Sequence, residues 1–382
     1  MYYIVTLQSP RHKQMSLEDL LFSPEDSIFQ TVYYNTTANT RVYEVESISS
    51  ELRNKTPISY LKSKLRDFNE KTAELRTVPR EQLYYSFKIP KRTGGLRQID
   101  APIDSLKEAL NELKDIFEQD FHAMYHTSAH AYIKQRGILT AIKRHQKNES
   151  KWFGKFDLHN FFGSTTPEFV TKMFSMIYPF CEVMKDAEGR ELFNTAISLC
   201  FLHGGLPQGT PISPMITNIM MIPIDYKLFN SLHNEENTFV YTRYADDMLI
   251  SSRWDFEINK VQERIKSVFS EFSAPFSLNE KKTRYGSSSG SNWNLGVMLN
   301  KDNQITVGWR EKKHFQTMLR TYAMDKKNNK DWSYHDVKVL EGKLNYYKMV
   351  EGDTITRIVS YVSEKTGFNI VDGIKTDLRT VN

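Results

Sequence analysis

TRYADDMLIS, residues 242–251, sets two adjacent aspartates, Asp246 and Asp247, inside an otherwise apolar stretch. The residues on either side have the composition and spacing of two short strands, which puts the acidic pair where a hairpin turns. Two like charges at that distance repel, and keeping both ionised costs stability unless a cation sits between them. Aspartate also favours turns, so the pair alone is compatible with a solvent-exposed Asp-Asp turn. A third acid narrows the choice: Asp157 follows the apolar and aromatic approach of KWFGKFD, at the end of another predicted strand. Phosphoryl transfer with two cations about 4 Å apart needs carboxylates from separate strands at one sheet edge. Hard oxygen ligands select Mg²⁺, with waters and substrate phosphates completing its octahedron. Asp157, Asp246 and Asp247 fit that requirement.

Outward from this centre, helices and antiparallel hairpins alternate without a regular βαβ beat, which predicts the α+β class. FKIPKRTGGLRQIDAP reads as a hairpin, with Gly94 and Gly95 available for positive φ. DSLKEALNELKDIFEQDF follows with Leu106, Leu110, Leu113, Phe117 and Phe121 on one helical face and Asp104 as the expected N-cap. Thr165, Thr166 and Pro167 read as the cap and first turn of PEFVTKMFSMIY. Pro223 predicts a break in the helix of MITNIMMIPIDYKLFNSL. A further β pair is expected around RYGSSSGSNWNLGVMLNKDNQITVG. In the first 80 residues, YYIVTL and RVYEVESI are β-prone and SYLKSKLRDFNEKTAELRTV is helical.

With 382 residues, 40% hydrophobic and 13% aromatic, the chain can bury a sizeable core and is too rich in aromatics to be disordered. Its net charge of +5 is a mild bias towards anionic partners. Residues 301–350 alone hold 11 Lys or Arg against 6 Asp or Glu, a surplus equal to that of the whole chain. Cys181 and Cys200 cannot make a disulfide framework for a chain this size. MYYIVTLQSP lacks the regions of a secretion signal, and no apolar run could span a bilayer, so a cytosolic protein without a membrane partner is expected.

The order FKIPKRTGGLRQIDAP, KFDLHNFF, GGLPQGTPISPMITN, YADD, LNEKKT, NLGVML resembles the fingers and palm of reverse transcriptases. The likeness is greatest to the bacterial group with group II intron, retron, diversity-generating and phage-defence enzymes, and it covers roughly residues 85 to 350. It implies a right-hand polymerase fold: an N-terminal extension over 1–80, interleaved fingers and palm over 81–304, and a small, basic, helical thumb over 305–382. The implied reaction adds dNTPs to a primer 3′-OH on an RNA template with two Mg²⁺ ions, Mn²⁺ being a substitute.

By the same resemblance Asp157 and Asp246 hold both metals, the Leu158 carbonyl adds a ligand, and Asp247 is the less directly ligating partner. Phe162 lies under the incoming sugar and leaves no room for a 2′-OH. Gln208 packs on the nucleotide, and Gly209 lets the backbone approach closely. Lys91 and Arg97 grip the triphosphate. Lys282, or Lys281 in its place, protonates pyrophosphate, and Gly296 props the primer end. Tyr244 lies near that end or simply packs. In the thumb, Lys312, Lys313 and Arg320 follow a phosphate backbone while Phe315 and Leu319 pack inward.

Departures from the pattern bear on the subgroup. Gln208 argues against the diversity-generating branch. TAIKRH puts Ala141 and His145 one residue too far apart for the retron N-A-x-x-H element and lacks its Asn, and NLG stands where V-T-G is expected, although LEGKLNYYKMVEG resembles a retron thumb. About 75 residues follow the palm, too few for the maturase and endonuclease regions of intron enzymes. A stand-alone antiviral defence enzyme with a dedicated noncoding RNA is thus the expected context, with retron-type msDNA synthesis as an alternative. Untemplated or protein-primed DNA synthesis, and a retired polymerase fold that only binds RNA, are the rival readings. The first 80 residues are expected to hold an RNA or a partner subunit, and homo-oligomerisation stays open.

Overall fold

The computed structural model describes residues 2–7, 29–34, 58–90, 94–118, 125–234, 237–288 and 296–379. The chain begins with β1 (Tyr2–Leu7) and β2 (Phe29–Tyr34), then α1 (Ile58–Lys71), α2 (Ala73–Thr77), β3 (Tyr84–Pro90), β4 (Leu96–Pro102), α3 (Asp104–Glu118) and α4 (Ile138–Lys147). It continues through β5 (Trp152–Asp157), α5 (Pro167–Phe174), α6 (Phe180–Val183), α7 (Ala187–Ser198), α8 (Ser213–Met220) and α9 (Ile222–Leu232). Next come β6 (His233–Asn234), β7 (Asn237–Thr238), β8 (Val240–Tyr244), β9 (Asp247–Ser252), α10 (Ile258–Glu271), β10 (Arg284–Ser287), β11 (Met298–Leu299) and β12 (Ile305–Thr306). Three helices close the chain: α11 (Trp309–Lys327), α12 (Tyr334–Thr366) and α13 (Ile370–Arg379). The α+β class is borne out. The largest sheet has the order β10-β5-β9-β8. No described helix is long and apolar enough to cross a membrane.

Two compact units are distinguished. The first comprises Met1–Gly137, Gly154–Ile250 and Glu257–Arg284. Its core includes the rings of Phe117, Phe174, Phe180 and Phe193, all fully buried and packed at centroid distances of 4.7–5.9 Å. Phe117 shares the apolar face of α3 with Leu106, Leu110 and Leu113. That face is the one its periodicity predicts, but Asp104 is the first helical residue instead of the cap; Phe121 lies outside the described residues. Thr166 caps α5 by accepting the Phe169 N–H at 3.2 Å. The break predicted at Pro223 occurs at Met221, where α8 ends and α9 begins with Pro223 in its first turn. β3 and β4 pair antiparallel from Tyr84↔Pro102 to Pro90↔Leu96, and Gly94 and Gly95 both take positive φ. β2, whose own sequence carries no clear alternation, pairs with β1; RVYEVESI lies outside the described residues.

The second unit comprises Ile138–Phe153, Ser251–Phe256 and Tyr285–Asn382. Phe315, Leu319 and Tyr322 of α11 are fully buried with Leu340 and Ile355 of α12 and Ile370 of α13. Burying each such side chain stabilises by about 1.5–3 kcal/mol, the main force holding these helices together. α12 breaks its helical geometry at Glu351 (φ −139°, ψ 59°). There the Glu351 carboxylate accepts the Val307 N–H at 2.9 Å and the Thr306 hydroxyl at 2.8 Å, and pairs with Lys312 at 2.9 Å. β11 and β12 form the expected β pair, while β10 joins the large sheet instead. His145, from the imperfect retron element, is fully buried beside Ser251 Oγ at 2.6 Å.

Candidate active site

The β8–β9 hairpin turns through Tyr244, Ala245, Asp246 and Asp247, and it can turn so tightly because Ala245 takes φ +57°. A non-glycine residue there costs about 1–2 kcal/mol, so the surroundings must hold it. β5 delivers Asp157 beside the turn: the Leu158 N–H donates to the Asp246 carbonyl at 3.1 Å. The Asp157 carbonyl in turn accepts the Asn279 N–H at 2.8 Å, which brings the short 3₁₀ turn Glu280–Lys282 to the same place.

The three carboxyl groups share one neighbourhood and have different partners. Asp157, 5% exposed, receives the Lys282 ammonium on both oxygens at 3.0 Å. Asp247 pairs with Lys155 at 2.9 Å. Asp246 has its pKa raised, first by burial, then by the charge of Asp247 and, more weakly, of Asp157, while Lys282 opposes the shift. Among the described residues no three acidic, histidine or cysteine side chains close around a point as a finished cation cage does. The donor set is nevertheless chemically suited to a hard divalent cation, whose positive charge would relieve the repulsion on Asp246.

Phe162 is half-buried, and its carbonyl accepts the Leu206 N–H at 3.0 Å, which lays the LPQG segment beside the loop after β5. The loop is closed by Ser213, whose hydroxyl donates to the Pro207 carbonyl at 2.9 Å. The Gln208 carbonyl accepts the Asp100 N–H at 2.7 Å, so this segment also touches β4, the strand that carries the exposed Arg97. Asp157, Leu158, Phe162, Gln208, Gly209, Tyr244, Asp246, Asp247, Lys282 and Arg97 all belong to the first unit. Lys91 lies outside the described residues. Gly296, Lys312, Lys313 and Arg320 belong to the second unit. There Arg320 is exposed, Lys313 sits over the exposed Trp309 ring at 4.8 Å, and Lys312 is committed to Glu351.

Two residues near the acids escaped the sequence reading. Lys155 precedes Asp157 by two positions and therefore shares its strand face, a signal the period of two could have supplied. Tyr132 lies in an irregular loop, takes φ +58° and leaves 58% of its surface exposed. Desolvation of its hydroxyl and then the Asp246 charge push its pKa up, and Arg97 opposes them. No local pattern marks it.

Residues 89–316 match the family model described as reverse transcriptase (RNA-dependent DNA polymerase). The chain belongs to the reverse transcriptase family. It is thus an RNA-directed DNA polymerase that depends on a divalent metal and works with an RNA template and a DNA product. This reverse transcriptase is similar to the retron Ec83 reverse transcriptase of Escherichia coli, 27% identical over 292 residues that cover 74% of this chain and 88% of the relative. The retron Ec73 enzyme of the same species is 26% identical over 71% of this chain and 84% of its own length. The retron Mx162 enzyme of Myxococcus xanthus is 32% identical, over 50% of this chain and 39% of its own. These likenesses point to the retron branch that the departures at His145 and NLG argued against. His145 is instead taken up in packing the second unit.

Proposed function

We propose that Asp157, Asp246 and Asp247, with the Leu158 carbonyl, hold two Mg²⁺ ions, for which Mn²⁺ substitutes, and that this reverse transcriptase extends a primer with dNTPs there. The observation that carries this reading is the convergence of three carboxyl groups on one turn, with burial and like charge raising the pKa of Asp246. The metals, when bound, supply charge neutralisation and activation of the attacking 3′-OH. The chain's own residues do the rest. Arg97, with Lys91, grips the triphosphate, Gln208 packs on the nucleotide, and Phe162 crowds the 2′ position so that deoxynucleotides are preferred. Lys282, at hydrogen-bond distance from Asp157, protonates the pyrophosphate leaving group. In the second unit, Lys313 and Arg320 are exposed and suited to backbone phosphates, and Gly296 supports the primer end. Lys312, paired with Glu351 at 2.9 Å, anchors the helix of Lys313 and Arg320 instead of meeting phosphate. We assign residues 1–80 to an extension, 81–304 to fingers and palm and 305–382 to the thumb.

Incorporation of labelled dNTPs on a primed RNA template tests the site. An Asp246→Ala, Asp247→Ala protein that incorporates as fast as the parent sinks the proposal. The retron relatives favour DNA synthesis on a dedicated noncoding RNA, as in msDNA formation. Sequencing the nucleic acid that co-purifies with the protein decides this, because template and product then share one sequence, whereas an untemplated or protein-primed enzyme leaves DNA that matches no RNA or that stays on a peptide. The further setting we infer is antiviral defence; equal phage plating on cells carrying the parent and the Asp246→Ala enzyme counts against it.

A further inference from the structure

Beneath the Asp246 turn is an ion pair with no exposure to solvent. Arg243 on β8 and Asp225 on α9 are both 0% exposed in their side chains. The guanidinium donates from Nε to Asp225 Oδ1 at 2.9 Å and from Nη2 to Oδ2 at 2.7 Å, a two-pronged grip that only arginine makes. Asp225 Oδ1 also accepts the Tyr241 hydroxyl at 2.7 Å. The remaining arm, Nη1, reaches Asn218 Oδ1 at 3.2 Å and the carbonyl of Ala245 at 3.3 Å. Ala245 is the left-handed residue on which the turn depends, and Asp246 is the next residue.

We propose that Arg243, oriented by Asp225 and Asn218, is a positioning residue that fixes the turn so that Asp246 faces its cations; this rests on Asp246 being a metal ligand. Stability alone is a poor account of the pair, because well-packed apolar residues usually replace a buried ion pair without loss. Geometry supplies a better one. A left-handed alanine persists only where its surroundings over-determine it, and the rigid guanidinium plane provides a donor to its carbonyl from a fixed base. The backbone of Arg243 is locked as well: its N–H donates to Ser128 O at 2.7 Å and its carbonyl accepts the His130 N–H at 2.9 Å. Asn218 donates to Ala131 O at 2.7 Å. One cluster therefore registers both the metal turn and the 128–131 segment that leads into Tyr132.

The test is single-turnover primer extension over a Mg²⁺ titration, where amplitude counts folded enzyme and rate reports the geometry of that enzyme. The variant R243M/D225L/Y241F removes the charges and the hydroxyl that would lose its acceptor, at nearly constant volume. Its rate is expected to fall about a hundredfold, the cost of roughly 1 Å of misplacement, with a higher Mg²⁺ requirement and unchanged template-primer affinity. Asn218→Ala keeps the ion pair, removes one acceptor of Nη1, and is expected to move both quantities in the same direction by about tenfold. A parental rate and Mg²⁺ requirement in the folded triple variant overturn the proposal; if that variant yields no folded protein, the same result in Asn218→Ala does so. An Asp246→Asn enzyme with full activity would instead overturn the metal-site reading beneath it.

Discussion

Replacing Gly209 with alanine tests how the LPQG segment meets the fingers strand. Gly209 sits at φ +123°, and a Cβ there would lie 2.9 Å from Ile99 Cγ2 and 3.0 Å from the Asp100 carbonyl oxygen. At φ +123° the backbone lies beyond the left-handed helical well, which costs an L-residue about 1–3 kcal/mol. Relieving the two contacts adds about 1–3 kcal/mol, because one of them is to backbone and cannot swing away. Together these predict a melting temperature lower by about 5–15 °C. The shift moves the chain away from β4 and breaks the bond from Asp100 N–H to the Gln208 carbonyl, now 2.7 Å, so the KM for dNTP is expected to rise about tenfold. Gly204→Ala is the control, since it also has positive φ (+80°) but no atom within 4 Å of the added methyl. It should lose only the conformational part, about 1–2 kcal/mol. Thermal unfolding and steady-state dNTP titration of both variants give the answer. Equal melting temperatures for the two, or an unchanged KM in Gly209→Ala, would refute the reasoning.

Asp246 makes the metal-free enzyme less stable as pH rises. Its folded pKa is raised above the ordinary value of 3.8, so the folded state holds the proton more tightly. That stabilisation is complete below the ordinary value and is lost as pH climbs through the folded pKa; Mg²⁺ should cancel the loss and Asp246→Asn should abolish it, read by denaturation midpoints in chelator from about pH 4 to 7. Phe162→Ala is expected to raise rNTP use relative to dNTP by at least about tenfold in competition assays, and an unchanged ratio removes Phe162 from sugar selection. Lys282→Ala should slow incorporation about a hundredfold while Lys281→Ala leaves it near parental; the opposite result would move the acid to Lys281.

Much of this chain was legible because the signals are local. Short runs of alternating or clustered apolar residues mark β5, β8 and β9, a helical stripe marks α3, Pro223 marks the break before α9, and Gly94 and Gly95 mark the first hairpin. The same locality explains the misses. β2 has little alternation of its own and is a strand by pairing with β1, and β10 is drawn to β5 instead of its sequence neighbours. A basic surplus in residues 301–350 could be counted, but counting could not tell that Lys312 turns inward to Glu351 while Arg320 stays exposed.

The order of motifs in the sequence by itself determined the family and nominated the three aspartates, since each motif is a short string of residue types. Tertiary structure alone decided their environments. Lys282 reaches Asp157 across 125 positions, Lys155 takes Asp247 across 92, and Arg243 finds Asp225 inside the core. Charge pairing and desolvation depend on distances of a few ångströms in space, and sequence separation does not encode those distances. TRYADDMLIS therefore names the acids, while the fold sets which of them is neutralised by lysine and which, Asp246, is held at raised pKa above a buried arginine.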